Sequence, residues 1–280
     1  MNALSGIPTD YAPTDYTEVT EAAGQPASSE QVERTAHRYV WAQKYCAGKD
    51  VVEVACGAGL GLELLGRDAQ SLSAGDISET LLERTRALDL GKVDVDCFDA
   101  CNMPYKDNSK DVIVLFEAIY YLADQPAFFT ECRRVLRPGG VILFANANKD
   151  LYDFNPSAWS TSYPGVVELN ELSANAGFNA RFWGYMDTTE VSSRQRILRP
   201  VKWLAANLGL IPKSMKAKAL FKKLFFGSMT TMPASISEEH VNYHPPVPIP
   251  ADRPDSCYKV IYCEARLDPT KAQTEQSGDH

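Results

Sequence analysis

Residues Glu53-Val-Ala-Cys-Gly57-Ala-Gly59-Leu-Gly61 constrain this chain more than any other stretch. They follow the apolar pair Val51-Val52 and precede a helical pattern at Leu60, Leu62, Leu64 and Leu65. The order is a buried strand, a glycine-rich turn and a helix. Glycine permits such a tight turn and lets backbone N–H groups approach a ligand. The dinucleotide fingerprint needs a glycine at its sixth position, where Leu62 stands; Gly61 comes one residue early. Glu53, at the strand end, would repel a pyrophosphate and attract an ammonium group. The pattern therefore points away from a dinucleotide and toward a cofactor with an amino-acid moiety. The alternative is a strand-to-helix turn with no ligand.

Later segments weigh against that alternative. Ser71 to Asp76 forms a second strand pattern ending in an acid, nineteen residues past Gly57. A carboxylate there is placed to accept from both ribose hydroxyls. Asp94 to Phe98 and Asp111 to Phe116 give a third and a fourth strand. Between them Asp99 is placed to accept from an adenine amino group. Val135-Leu-Arg-Pro-Gly-Gly140 ends a helix with proline and glycine stop signals, and Val141 to Ala145 gives a fifth strand. Strands alternating with helices predict a parallel, doubly wound sheet.

From about Gly48 to Ala147 the chain resembles class I S-adenosylmethionine-dependent methyltransferases. Four segments carry the resemblance: the glycine loop, Gly75-Asp-Ile-Ser78, Phe98-Asp-Ala100 and Leu136-Arg-Pro-Gly-Gly140. One departure is Ala55, where the family often has glycine. The resemblance implies a Rossmann-like α/β fold. Its sheet would have seven mostly parallel strands with an antiparallel last strand, an N-terminal helical cap and a helical insertion before that strand. It implies S-adenosyl-L-methionine as cofactor. Glu53 would face its amino group or order the glycine loop. Ala55, Cys56, Gly57 and Gly59 would line it, Asp76 would take the ribose, and Ile77 would pack on the adenine. Phe98, Asp99 and the Ala100 amide would surround the adenine edge, and Phe116 would sit beside the methionine portion or serve as plain core. His37-Arg38-Tyr39 is similar to a segment of glycan-modifying relatives in which the arginine reaches the cofactor carboxylate.

The expected divisions are residues 1–47, an irregular arm to residue 29 and a cap helix N-capped by Ser29; 48–187, the cofactor-binding core with a sixth strand at Phe178 to Met186; 188–256, a basic helical insertion or lid; 257–268, the last strand; and 269–280, a polar tail. The net charge is −8. Yet Val191 to Ser237 contains no acid and nine lysines or arginines, leaving −17 on the remainder. Two amphipathic stripes cross this segment: Ile197, Val201, Leu204, Ala205 and Leu208, then Leu220, Phe221, Leu224 and Phe225. It has three readings: a packed lid with a solvated basic face, recognition of a phosphate- or sugar-bearing acceptor, or transient contact with an anionic membrane surface. Nucleic acid is not expected on an acidic chain without a recognisable binding motif.

Seven cysteines without a C-x-x-C pair argue against a disulfide framework, and no cluster has metal-ligand spacing, so no metal is expected. Free thiols and the lack of a leader or spanning segment point to a cytoplasmic protein. Candidates for acceptor chemistry are Tyr121 in the loop after the fourth strand, Tyr16 (with Tyr11) as part of a lid, and His244 (with His240) as bases suited by ordinary pKa. The expected activity is methyl transfer to an oxygen or nitrogen of a small acceptor. Carbon or lipid-headgroup methylation, or a non-catalytic cofactor-binding role, are the alternatives.

Overall fold

The structure is a computed structural model that describes residues 16–157, 159–189 and 229–269. A turn of 3-10 helix, Tyr16–Glu18, leads to strand β1, Pro26–Ser28, and helix α1, Ser29–Cys46. Strand β2 is Asp50–Val54, followed by α2 at Leu62–Gly66. Then come β3 at Ser71–Asp76, α3 at Glu79–Arg86, β4 at Val93–Cys97 and β5 at Lys110–Phe116. Helix α4, Gln125–Val135, precedes β6, Leu136–Ala147. Helix α5, Val166–Asn175, precedes β7, Phe178–Asp187. Strands β8, Met229–Thr231, β9, Val247–Ile249, and β10, Tyr258–Leu267, complete the described chain.

The main sheet has the order β4-β3-β2-β5-β6-β10-β7-β9. Strands β4, β3, β2, β5 and β6 run parallel to their neighbours, while β10 is antiparallel to both β6 and β7. Among the described residues the sheet thus has eight strands, one more than expected. The extra strand, β9, pairs antiparallel to β7 and carries Pro248 opposite Trp183. Proline lacks an N–H and is tolerated on an edge, where one side of the strand needs no partner. The proline-rich run around it hid the strand from pattern reading.

Alternate residues of each strand supply two cores, as a sheet covered on both faces requires. Val51, Val112, Val114, Val141, Leu143 and Tyr262 face one core with Ala36, Trp41 and Ala42 of α1 and Leu62, Leu64 and Leu65 of α2. Val52, Val54, Ile113, Leu115, Ile142 and Phe144 face the other, with Phe128, Phe129 and Cys132 of α4 and Val166 and Leu169 of α5. Phe129 lies 5.6 Å from Phe144 and 6.1 Å from Phe178, both ring to ring, and so ties α4 to the sheet.

Helix α1 begins one residue differently from expectation. Ser28 is the N-cap, its hydroxyl accepting from Gln31 N at 3.1 Å, and Ser29 is the first helical residue. The described arm before it is tied down: β1 pairs antiparallel with β8, and Gly24 and Gln25 bond through their backbones to Met232. The described part of the expected helical insertion, 229–256, is β8, one 3-10 turn at Glu238–His240 and β9. Both amphipathic stripes, the nine basic residues, Tyr11 and the last residues of the polar tail lie outside the described residues.

Candidate active site

The site lies at the carboxyl ends of β2, β3 and β5, where the strand order reverses direction. Open α/β sheets bind ligands at such switch points. A cavity of about 610 Å³ opens there. It is lined by the loops after these strands, by one face of α1 and by the arm. That volume falls in the range of small-molecule sites.

Two of the loops begin with left-handed backbone. Ala55, just after β2, has φ 55°, and Glu117, just after β5, has φ 50°. Side chains disfavour this region by roughly 1–2 kcal/mol. That explains why glycine is the commoner residue at the position of Ala55, and alanine, with the smallest side chain, is the mildest replacement. Gly61, one residue early for a dinucleotide loop, has its own reason. A Cβ there would sit 2.0 Å from the Tyr39 ring. Its absence lets Tyr39 of α1 lie against the loop.

Asp76, buried at the end of β3, fixes the loop. Its Oδ2 accepts from Gly57 N and its Oδ1 from Ser78 N, each at 2.9 Å. An ionised carboxylate has about four acceptor sites, so two remain for hydroxyls of a ligand. Burial raises the Asp76 pKa above the ordinary value, while the backbone N–H bonds oppose that rise. Ile77 lines the cavity and is 37% exposed, an unusual surface for an isoleucine next to a buried acid. Phe98, Asp99 and Ala100 line the neighbouring wall, and Asp99 Oδ1 accepts from Cys101 N at 2.8 Å. Cys56 also lines the cavity. Burial pushes the Cys56 thiol well above its ordinary pKa and that of Cys101 up to about 12. Neither is poised as a thiolate nucleophile near neutral pH.

At the opposite end Arg38 lines the cavity from α1. Its Nη2 donates to Glu21 Oε2 at 2.7 Å, and its Nη1 lies 3.9 Å from Glu117 Oε1. Nε and Nη1 are buried without a hydrogen-bond partner among the described residues. Glu53 does not line the cavity; it sits behind the wall, 1% exposed. Tyr39 donates to its Oε1 at 2.7 Å, and its Oε2 is buried without a partner among the described residues. Burial pushes the Glu53 carboxyl up to about 7, against the Tyr39 hydrogen bond and the Arg38 charge. Phe116 is buried and packs edge-on against Tyr39, so it serves as core and as cavity wall at once.

The rim is aromatic. Tyr16, Tyr120 and Tyr121 line it, with the Tyr16 and Tyr121 rings 5.4 Å apart and those of Tyr120 and Tyr121 4.6 Å apart. Tyr121 donates to Ser157 Oγ at 3.3 Å. Tyr120 donates to Glu117 Oε2 at 2.9 Å, and burial raises its hydroxyl pKa well above the ordinary value.

Tyr16, Tyr121, Arg38, Ala55, Cys56, Gly57, Asp76, Ile77, Phe98, Asp99, Ala100 and Phe116 therefore come together on one cavity. Gly59 stands behind it, against Thr85. His244 stands apart. It is exposed on a shallow depression with Tyr185, Pro245 and Tyr258, and its carbonyl accepts from His37 Nε2 at 2.8 Å. His240 is likewise outside the cavity and bonds Ser237. Sequence reasoning missed Thr20, Glu21 and Asp124 as lining residues and Tyr39 as the partner of Glu53. Tyr39 had a signal, its place beside Arg38; the others had none. Among the described residues no group of His, Cys, Asp or Glu could hold a metal ion. No described helix is long and apolar enough to cross a membrane.

Fold and site resemble those of class I S-adenosylmethionine-dependent methyltransferases, and the sequence and fold comparisons agree. Residues 52–144 match the family model described as a methyltransferase domain. The chain is 37% identical over 150 residues to a probable S-adenosylmethionine-dependent methyltransferase of Mycolicibacterium smegmatis, covering 52% of this chain and 55% of that protein. It is 30% identical over 165 residues to a probable phthiotriol/phenolphthiotriol dimycocerosates methyltransferase 2 of Mycobacterium ulcerans, covering 55% and 58%. The match thus spans little more than half the length of these curated relatives. In fold it is similar to a solved S-adenosylmethionine-dependent methyltransferase of Archaeoglobus fulgidus, with a TM-score of 0.54, 16% identity and coverage of 86% of this chain and 95% of that one.

The cofactor of this family is S-adenosyl-L-methionine, and the cavity suits it. The Arg38 charge at the cavity wall suits a carboxylate, the spare lone pairs of Asp76 match ribose hydroxyls, and exposed Ile77 offers an apolar face to a base.

Proposed function

We propose that the protein transfers a methyl group from S-adenosyl-L-methionine to an oxygen or nitrogen of a small acceptor, in a tailoring step of biosynthesis. The observation that carries this reading is the placing of Arg38 and Asp76 on the wall of one cavity, with Arg38 Nε and Nη1 lacking hydrogen-bond partners among the described residues. The cofactor supplies an electrophilic methyl on a sulfonium. The chain's part is positioning, which can account for much of the barrier of such a displacement. Arg38 would hold the carboxylate, and Asp76 the ribose. Asp99 and the Ala100 amide would read the adenine edge. Glu53, behind the wall, fixes Tyr39 and through it the glycine loop.

The rim of Tyr16, Tyr120 and Tyr121 would receive the acceptor. Flat aromatic faces with polar edges suit a sugar-bearing or ring-bearing molecule. Tyr121 would hydrogen-bond it. Tyr120 is not a base, because its hydroxyl is committed to Glu117 and its pKa is raised. The basic segment 191–237 would favour an anionic acceptor, and a cytoplasmic location belongs to the same reading.

Lipid methylation is a second reading, favoured by the likeness to the relative named for phthiotriol dimycocerosates. Calorimetry with S-adenosylhomocysteine tests the cofactor assignment. The wild type should bind it, and Asp76→Ala should weaken binding by roughly 1.5–3 kcal/mol, the worth of hydrogen bonds to a charged group. NADH should not bind; tight NADH binding would overturn the assignment. Methyl-labelled cofactor incubated with fractionated cell extract would identify the acceptor.

A further inference from the structure

Arg38 owes its place to a residue outside the family's motifs. Glu21 lies on the arm between Tyr16–Glu18 and β1 and lines the cavity beside Val19 and Thr20. Four donors converge on its carboxylate. Oε2 accepts from Arg38 Nη2 at 2.7 Å and from Thr35 Oγ1 at 2.9 Å. Oε1 accepts from Gln31 Nε2 at 3.1 Å and lies 3.8 Å from Arg34 Nη2. Burial disfavours its charge, but Arg38, Arg34 and the hydrogen bonds outweigh that, so the carboxyl is held below its ordinary pKa. The charge is therefore present at neutral pH. All four donors come from α1, so Glu21 is fixed by the same helix that carries Arg38.

We propose that Glu21 is a positioning residue that presets Arg38 for the cofactor's carboxylate. A free arginine side chain has several rotatable bonds and loses their freedom on binding. Glu21 holds one nitrogen, Nη2, and leaves Nε and Nη1 as the unpartnered donors of the guanidinium. Glu117, 3.9 Å from Nη1, flanks the other side. The two acids confine the group without filling its hydrogen-bonding capacity. The ordering cost of the arginine is met on folding, before any ligand arrives. Glu21 also anchors the arm that covers the glycine loop, where Thr20 Cγ2 would lie 2.7 Å from a Cβ on Gly57. This inference rests on the reading of Arg38 as the carboxylate ligand.

Two probes separate positioning from mere support of the arm. S-adenosylhomocysteine carries the amino-acid moiety; methylthioadenosine has the same nucleoside without it. In Glu21→Gln the side-chain shape is kept and the charge is lost. This variant should bind S-adenosylhomocysteine about tenfold more weakly, the difference between a charge-assisted and a neutral hydrogen bond. Its methylthioadenosine affinity should match the wild type. Arg38→Ala should show the same selectivity, and the double variant should be no weaker than Arg38→Ala alone. Equal weakening of both probes by Glu21→Gln would show a structural role and overturn the inference. So would tighter binding of S-adenosylhomocysteine, which would mean that Glu21 competes with the ligand for Arg38. If Arg38→Ala binds S-adenosylhomocysteine as well as the wild type, the underlying reading of Arg38 fails instead.

Discussion

His37 and Glu53 are buried, ionisable and opposite in their dependence on pH. His37 is fully buried and stacks on Tyr185, ring centroids 3.5 Å apart. The His244 carbonyl can only accept, so His37 Nε2 carries the proton and Nδ1 accepts from the Tyr262 hydroxyl at 2.7 Å. Burial lowers the His37 pKa from 6.5 to about 4. Between those values the unfolded chain binds the extra proton, so stability falls as pH drops. Glu53 is raised from 4.5 to about 7, so between those values the native state binds the extra proton. Its contribution is therefore present at low pH and lost as pH rises. Each slope is at most about 1.4 kcal/mol per pH unit. From pH 4.5 to 6.5 they oppose one another. Denaturant titrations should show a flatter profile for the wild type than for Glu53→Gln, which should lose stability steadily on acidification across that window. Parallel profiles would mean that Glu53 is ionised normally in the native state. Neither shift was legible in the sequence, since both come from burial by residues distant in the chain.

At the scale of elements, the entry of α1 decides between two adjacent serines. The sequence favours Ser29, followed by acids in a first turn. The structure gives the cap to Ser28, whose backbone is extended and whose hydroxyl reaches Gln31 N. The reason is tertiary: Ser28 ends β1 and is held extended by its pairing with Met229 of β8. Ser28→Ala should cost about 1 kcal/mol in thermal or urea denaturation, and Ser29→Ala a few tenths at most. The reverse ranking would restore the entry expected from sequence. Strand β9 teaches the same lesson. Pro248 and the prolines flanking it argue against a strand, yet the edge of β7 accepts one.

The whole molecule carries an uneven charge, and its consequence depends on what meets the basic segment. If the acceptor carries phosphate, changing Lys213, Lys216, Lys222 and Lys223 together to glutamine should raise the acceptor KM and leave S-adenosylhomocysteine affinity unchanged. The KM effect should shrink with added salt, because exposed charges beyond about 8–10 Å are screened near physiological ionic strength. Loss of sedimentation with anionic vesicles at an unchanged KM would favour a membrane surface. No change in either would leave a solvated basic face. The described end of this region is not an independent appendage. Met232 and Ile236 are buried in the core beside α1 and α2, and Ile236 N donates to Leu60 O at 2.8 Å. Residues 229–249 build two sheet edges and some of the core.

The sequence by itself determined the parts whose information is local. Glycines and acids at strand ends mark the cofactor loops because backbone geometry and charge act within a few residues. Strand alternation marks the sheet because side chains change face at every step. Asp76, Asp99 and Arg38 are singled out in the chain, and in the structure they line one cavity. Only the tertiary structure decided that Glu53 stands behind the cavity wall, that His244 faces away from it, and that Glu21 holds Arg38. Those facts depend on how the arm, α1 and the last strands converge. No local spacing encodes the convergence of Glu21 with Arg38, which lie 17 residues apart, or of His37 with Tyr262, 225 residues apart. Packing of one apolar face against another sets those distances.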